Sequence, residues 1–144
     1  MKFSRSPFAF TLSALAALCI TTGVTAQAAQ AVSNAVTAKA YRMDAARHIY
    51  ASYPTKIYKG KLPPLVHAIV VTEVDVDNTG KLRNINMIRV PTHAPDVTAA
   101  VRSMIERTQL PAPVHMADGA RFTEVWLVDK SGRFQLDALT EGQR

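Results

Sequence analysis

The chain has one cysteine, one tryptophan and six glycines in 144 residues, and each scarcity closes off a class of chemistry. Cys19 lies within an apolar stretch at the front, so the remainder carries no thiol. No disulfide, cysteine nucleophile or thiolate metal site is expected there. The glycines stand apart from one another, which excludes a glycine-rich phosphate loop. Beyond the front segment the serines are Ser33, Ser52, Ser103 and Ser131. None stands in a Gly-x-Ser-x-Gly elbow or a Ser-x-x-Lys arrangement. The histidines His48, His67, His93 and His115 show no His-x-His or His-x-x-x-His spacing, so they read as surface or partly buried residues rather than metal ligands. Glu73, Asp75 and Asp77 share one strand face that runs into a turn, and solvation explains them better than calcium ligation or acid/base work. These absences point away from an enzyme, a cofactor and a metal.

The front of the chain reads as an address. Lys2 and Arg5 give a positive start, Phe8 to Val24 supply an uncharged apolar run, and Ala26-Gln27-Ala28 offers a small-x-small cleavage site. Residues 1–28 are therefore expected to be a signal peptide, with a retained membrane anchor as the alternative. The expected location is the periplasm, or the inner membrane if the segment stays. The net charge of +6 includes Lys2 and Arg5, and the other positive residues are scattered rather than striped. Nucleic acid is not expected as a partner.

What is present is a rhythm. Residues 29–43, rich in Ala, Val, Thr and Asn, read as a linker. Asp44 is placed to cap a helix with Ala46, Ile49, Tyr50 and Tyr53 on one side, stopped by Pro54. Thr55 to Pro64 is a basic loop. From Val66 to Val76 every second residue is Val, Ala or Thr, the pattern of a half-buried strand. Asp77-Asn78-Thr79-Gly80 turns the chain into a second strand, Lys81 to Val90, whose phase slips near Arg83 and Asn84 and predicts a β-bulge. Val97, Ala100, Val101, Met104 and Ile105 form one apolar helix face after Pro95 and Asp96. Pro111 and Pro113 stop that helix. A long strand from Arg121 to Asp129 follows, then a turn at Lys130-Ser131-Gly132 and a short strand at Phe134 to Leu136. Residues 140–144 read as a disordered tail. The expectation is one α+β domain over residues 44–139: a small three-stranded antiparallel sheet of hairpin, helix and strand, with helices on one face.

Several segments carry a resemblance. Tyr53-Pro54, the run Ile69 to Asp77, the turn Asn78 to Leu82, Ile85-x-Met87-x-x-Arg89, Ala99-Ala100-Val101, Pro111-Ala112-Pro113 and the strand around Phe122 together resemble the C-terminal domain of the TonB family of energy transducers. The resemblance covers Tyr53 to Val128. It implies a periplasmic protein-binding domain whose last strand pairs with a short peptide of an outer-membrane receptor, in transport across the outer membrane. Carried over, the partner-binding residues are Arg121, Phe122, Thr123, Glu124, Val125, Trp126 and Leu127, and the free edge of that strand offers N–H and C=O groups to an added strand. A strand-swapped homodimer and a retained-anchor energy transducer are the alternatives.

Overall fold

A computed structural model describes residues 29–143, so the signal segment expected at 1–28 lies outside the described residues. Chain order is β1 (Val32–Ser33), α1 (Ala38–Ser52), β2 (Ala68–Val76), β3 (Leu82–Arg89), α2 (Pro95–Arg107), β4 (Ala112–Pro113), β5 (Ala120–Val128) and β6 (Phe134–Leu136). The molecule is α+β. Its main sheet has four antiparallel strands in the order β3-β2-β5-β6, and β1 and β4 form a separate two-stranded parallel pair. The expected three-stranded sheet thus gains β6 as a fourth strand, paired to the end of β5 from Trp126↔Leu136 to Val128↔Phe134.

The period of two fixes β2. Ala68, Val70, Thr72, Val74 and Val76 are buried, and the residues between them are half-buried. Ala68 through Val76 pair with Val128 back to Ala120 without a break. The β2–β3 ladder, by contrast, is interrupted twice. Val76 pairs with Leu82 and Asp75 with Asn84, leaving Arg83 extra, which is the expected bulge. Val71 pairs with Arg89 and Thr72 with Met87, leaving Ile88 extra as a second one.

Both helices cover the face that carries Val70, Val74, Phe122 and Trp126. The first helix begins earlier than expected. Thr37, not Asp44, is the N-cap, and its hydroxyl accepts the Ala40 N–H. Asp44 lies inside the helix and accepts a hydrogen bond from the Ser33 hydroxyl at 2.7 Å. The presumed linker therefore holds β1 and the first turns of α1. Three tyrosines stitch α1 to the rest of the fold. The Tyr41 hydroxyl donates to the Pro111 carbonyl at 2.8 Å, that of Tyr50 accepts the Leu136 N–H at 3.0 Å, and that of Tyr53 donates to the Met104 carbonyl at 3.0 Å. Tyr41 also meets Phe122 edge to face at 5.6 Å, a contact worth about 1 kcal/mol beyond its burial. On α2, Val97, Val101 and Ile105 are buried, whereas Ala100 is exposed.

The tail is tied down rather than frayed. Gln135, buried, accepts the Thr140 hydroxyl and the Glu141 N–H on its Oε1, and the Leu62 N–H donates to the Gly142 carbonyl. A buried amide that gives up water needs such partners, and here the C-terminal residues supply them.

Candidate partner-binding edges of the sheet

A strand can receive a partner only along an unpaired edge, so the sheet order decides which residues are eligible. β5, the strand on which partner-binding residues are expected, lies inside the sheet. One side is paired to β2 throughout, and β6 takes Trp126–Val128 on the other. Between those blocks the Val125 N–H donates to Glu124 Oε1 at 3.0 Å. Among the described residues Ala120–Val125 of β5 has no strand partner on its outer side, and within that stretch the Val125 N–H is already taken by the Glu124 carboxylate.

The side chains divide accordingly. Phe122, Glu124 and Trp126 are buried on the helix-covered face. Trp126 donates its indole N–H to the Thr72 hydroxyl at 3.2 Å and packs on Phe134 with ring centroids 4.8 Å apart. Glu124 is 1 % exposed and held by Arg42, whose Nη2 and Nε reach the two carboxylate oxygens at 2.7 and 3.2 Å. The Ala138 N–H also donates to Glu124, and Asp137 shares the Arg42 guanidinium at 2.9 Å. Glu124 thus anchors α1 and the C-terminal turn to the sheet. It is not available to set register with a partner. Arg121, Thr123, Val125 and Leu127 point to the uncovered face, where Arg121 is ion-paired with Asp75 at 2.8 Å.

That uncovered face has a polar end and an apolar end. Glu73 and Asp75 pair with Asn86 and Asn84 on one side and with Thr123 and Arg121 on the other. Val71 and Ile69 pair with Val125 and Leu127, all half-buried.

β3 is the long free edge. Among the described residues its only strand neighbour is β2. The hairpin ladder starts with the Asp77 N–H donating to the Lys81 carbonyl, and Asp75↔Asn84 and Glu73↔Asn86 continue it. Alternation then aims the amides of Asn84 and Asn86 at β2 and those of Ile85 and Met87 at solvent. Ile88 and Val90 are 53 % and 46 % exposed at the far end of the strand. Lys81, Arg83 and Arg89 are exposed as well, and β3 carries no acid.

The sequence held a signal for this arrangement. Asp77-Asn78-Thr79-Gly80-Lys81 and Asp129-Lys130-Ser131-Gly132-Arg133 follow one pattern, and both close hairpins. In each, the aspartate Oδ1 accepts the backbone N–H and the hydroxyl of the residue two places on, and the backbone N–H four places on. The second copy announces a strand on the outer side of β5. At the first copy, hydrogen bonds from Thr79 and Lys81 hold the Asp77 carboxyl below its ordinary range, with Arg83 adding to the effect.

No group of three or more metal-ligating side chains gathers among the described residues. His67 and His93, distant in sequence, do come together edge to face at 5.5 Å, with His93 Nε2 at 2.8 Å from the His67 carbonyl. None of the described helices is long and apolar enough to cross a membrane. Comparison of the chain with protein-family models, curated proteins and solved structures finds no match.

Proposed function

We propose that this chain is an exported, TonB-like protein-binding domain that takes an extended partner segment by strand addition, and that the receiving edge is β3. The observation that carries the proposal is the unpaired side of Leu82–Arg89, which offers backbone donors at Ile85 and Met87 beside the exposed Ile88 and Val90. Backbone pairing supplies affinity in such complexes, and alternate side-chain contacts supply selectivity. The two bulges keep the edge from adding strands indiscriminately and leave Asn84–Met87 as its regular stretch. The fitting partner is an extended segment with apolar residues at one end and acidic residues opposite Lys81, Arg83 and Arg89, such as a periplasmic segment of an outer-membrane receptor.

Charge argues against the homodimer at this edge. A second copy of β3 would bring Lys81, Arg83 and Arg89 against the same cations with no acid to offset them. Analytical ultracentrifugation should accordingly find a monomer.

The test is titration with synthetic periplasmic receptor segments, using Met87→Ala and Met87→Pro as a pair. Both remove the same side chain, but only proline removes the outward N–H. Relative to Met87→Ala, the proline variant should bind about tenfold more weakly, and Arg89→Glu should weaken acidic segments selectively. Circular dichroism must show each variant folded. Equal binding by a folded Met87→Pro would remove β3 as the site.

A further inference from the structure

The loop after α1 carries Lys56, Lys59 and Lys61 without an acid between Pro54 and Pro64. It lies against the β5–β6 hairpin, because Ile57 bridges Phe134 and the Tyr58 N–H donates to the Phe134 carbonyl at 2.9 Å. That contact brings Lys59 beside Arg133 and Lys56 beside Gly132, with Lys61 and Lys130 close by in sequence. None of these five cations has a carboxylate within salt-bridge distance among the described residues, where Arg42, Arg47, Arg102 and Arg121 all do. The two nearby acids are hydrogen-bonded to backbone amides of these same segments rather than to the cations. Asp129 Oδ1 accepts from Ser131 and Arg133 backbone amides, and Glu141 accepts the Gly60 N–H.

The loop is also built to hold still. Gln135, 1 % exposed, spends both amide hydrogens on it, donating to the Tyr58 carbonyl at 2.9 Å and the Gly60 carbonyl at 2.7 Å. A fully buried polar side chain is a costly way to fix a surface loop. The loop so fixed gathers five cations against two carboxylates, Asp129 and Glu141, and leaves a net positive potential. Between loop and hairpin lies a cleft of about 590 Å³ lined by Pro54, Thr55, Ile57, Tyr58, Lys59 and Arg133. It combines a guanidinium, an ammonium, a hydroxyl and one aromatic wall, on the side of the sheet opposite the β3 edge.

We infer that this cleft binds a phosphate-bearing ligand. Arg133 supplies the planar fork that matches phosphate oxygens, Lys59 a second charge, Thr55 a hydroxyl donor, and Tyr58 a wall for the group the phosphate carries. Lys56, Lys61 and Lys130 raise the local potential that draws the anion in. The phosphate source is either a small soluble molecule or a lipid headgroup, and one experiment separates them.

Inorganic pyrophosphate and vesicles containing phosphatidylglycerol are titrated separately into the intact chain, with amide shifts of Tyr58, Lys59 and Arg133 as the readout. The double variant Lys59→Glu/Arg133→Glu alters two exposed side chains that make no hydrogen bond of their own among the described residues, so the domain should remain intact. Lys39→Glu/Arg107→Glu, two exposed cations at the far ends of α1 and α2, is the charge-matched control. Saturable shifts that weaken at least tenfold in the cleft variant, and not in this control, support the site. Pyrophosphate binding identifies the soluble source, and vesicle binding without it identifies the headgroup. Absence of binding to either probe overturns the inference. So does an equal loss in the control, which would reduce the effect to net charge.

Discussion

Asp77 to Lys81 and Asp129 to Arg133 fold into the same turn, with Gly80 and Gly132 both at φ +79° and the same three hydrogen bonds to the aspartate. What leaves each turn differs. β3 runs for eight residues with no strand on its outer side among the described residues, whereas β6 runs for three and is covered at once by Ile57 and Tyr58. Turn chemistry sets hairpin register in both places. Whether the resulting edge stays open is decided by distant segments: the Pro54–Lys61 loop and the residues after Leu136 close one, and nothing described closes the other. The same local code therefore yields a core element in one hairpin and an exposed edge in the other.

The largest test of that contrast is truncation. Trp126→Ala, beside β6, removes a fully buried ring and the partner of Thr72, and should cost about 3–5 kcal/mol in urea unfolding. Ile88→Ala, on the bulge of β3, should stay within about 0.5 kcal/mol. Similar costs at the two sites would mean β3 is not the exposed element described.

Glycine substitution separates the shared turn from its surroundings. At Gly132 a methyl group meets nothing within 4 Å, so Gly132→Ala carries only the left-handed backbone penalty of about 1 kcal/mol. At Gly80 the same methyl lies 2.3 Å from the Leu110 carbonyl oxygen. Gly80→Ala should cost several times more by thermal or urea unfolding, because backbone must move. Equal penalties would contradict the packing of the first turn under the segment after α2.

A smaller effect sharpens the first turn alone. Asp77 is held below the ordinary aspartate value of about 3.9. Its contribution to stability is therefore complete above that value and is lost as pH falls through the lower folded-state value. Carboxyl titration by NMR should place Asp77 below 3.9, and Asp77→Asn should flatten the acid limb of the stability curve. A midpoint at or above the ordinary value would remove this component.

Much of the hairpin was legible. The alternation from Ala68 to Val76 and the slip at Arg83 are local, and both emerge as read. The bulge at Ile88 was hidden because Ile88 and Val90 keep an apolar rhythm while leaving the core. The start of α1 was displaced because Ala38 to Asp44 has little amphipathic contrast and Asp44 imitates a cap. The role of Glu124 could not be read at all, since its partner Arg42 is 82 residues away. A glutamate in an otherwise apolar strand looks like a surface residue until the helix that neutralises it is in place. The fourth strand was available in the repeated turn, yet pairing it to β5 required knowing that the Lys130–Gly132 turn closes a hairpin.

The central claim is that β3 is open along its length and β5 is closed from Val125 onward, and amide hydrogen exchange tests it residue by residue. The amides of Ile85 and Met87 face solvent, whereas the Val125 amide is bound to Glu124 beneath the C-terminal turn. In the free protein, Ile85 and Met87 should exchange orders of magnitude faster than their neighbours Asn84 and Asn86, and faster than Val125. Protection of Ile85 and Met87 equal to that of Asn84 and Asn86, with fast exchange at Val125, would contradict it and return the binding edge to β5.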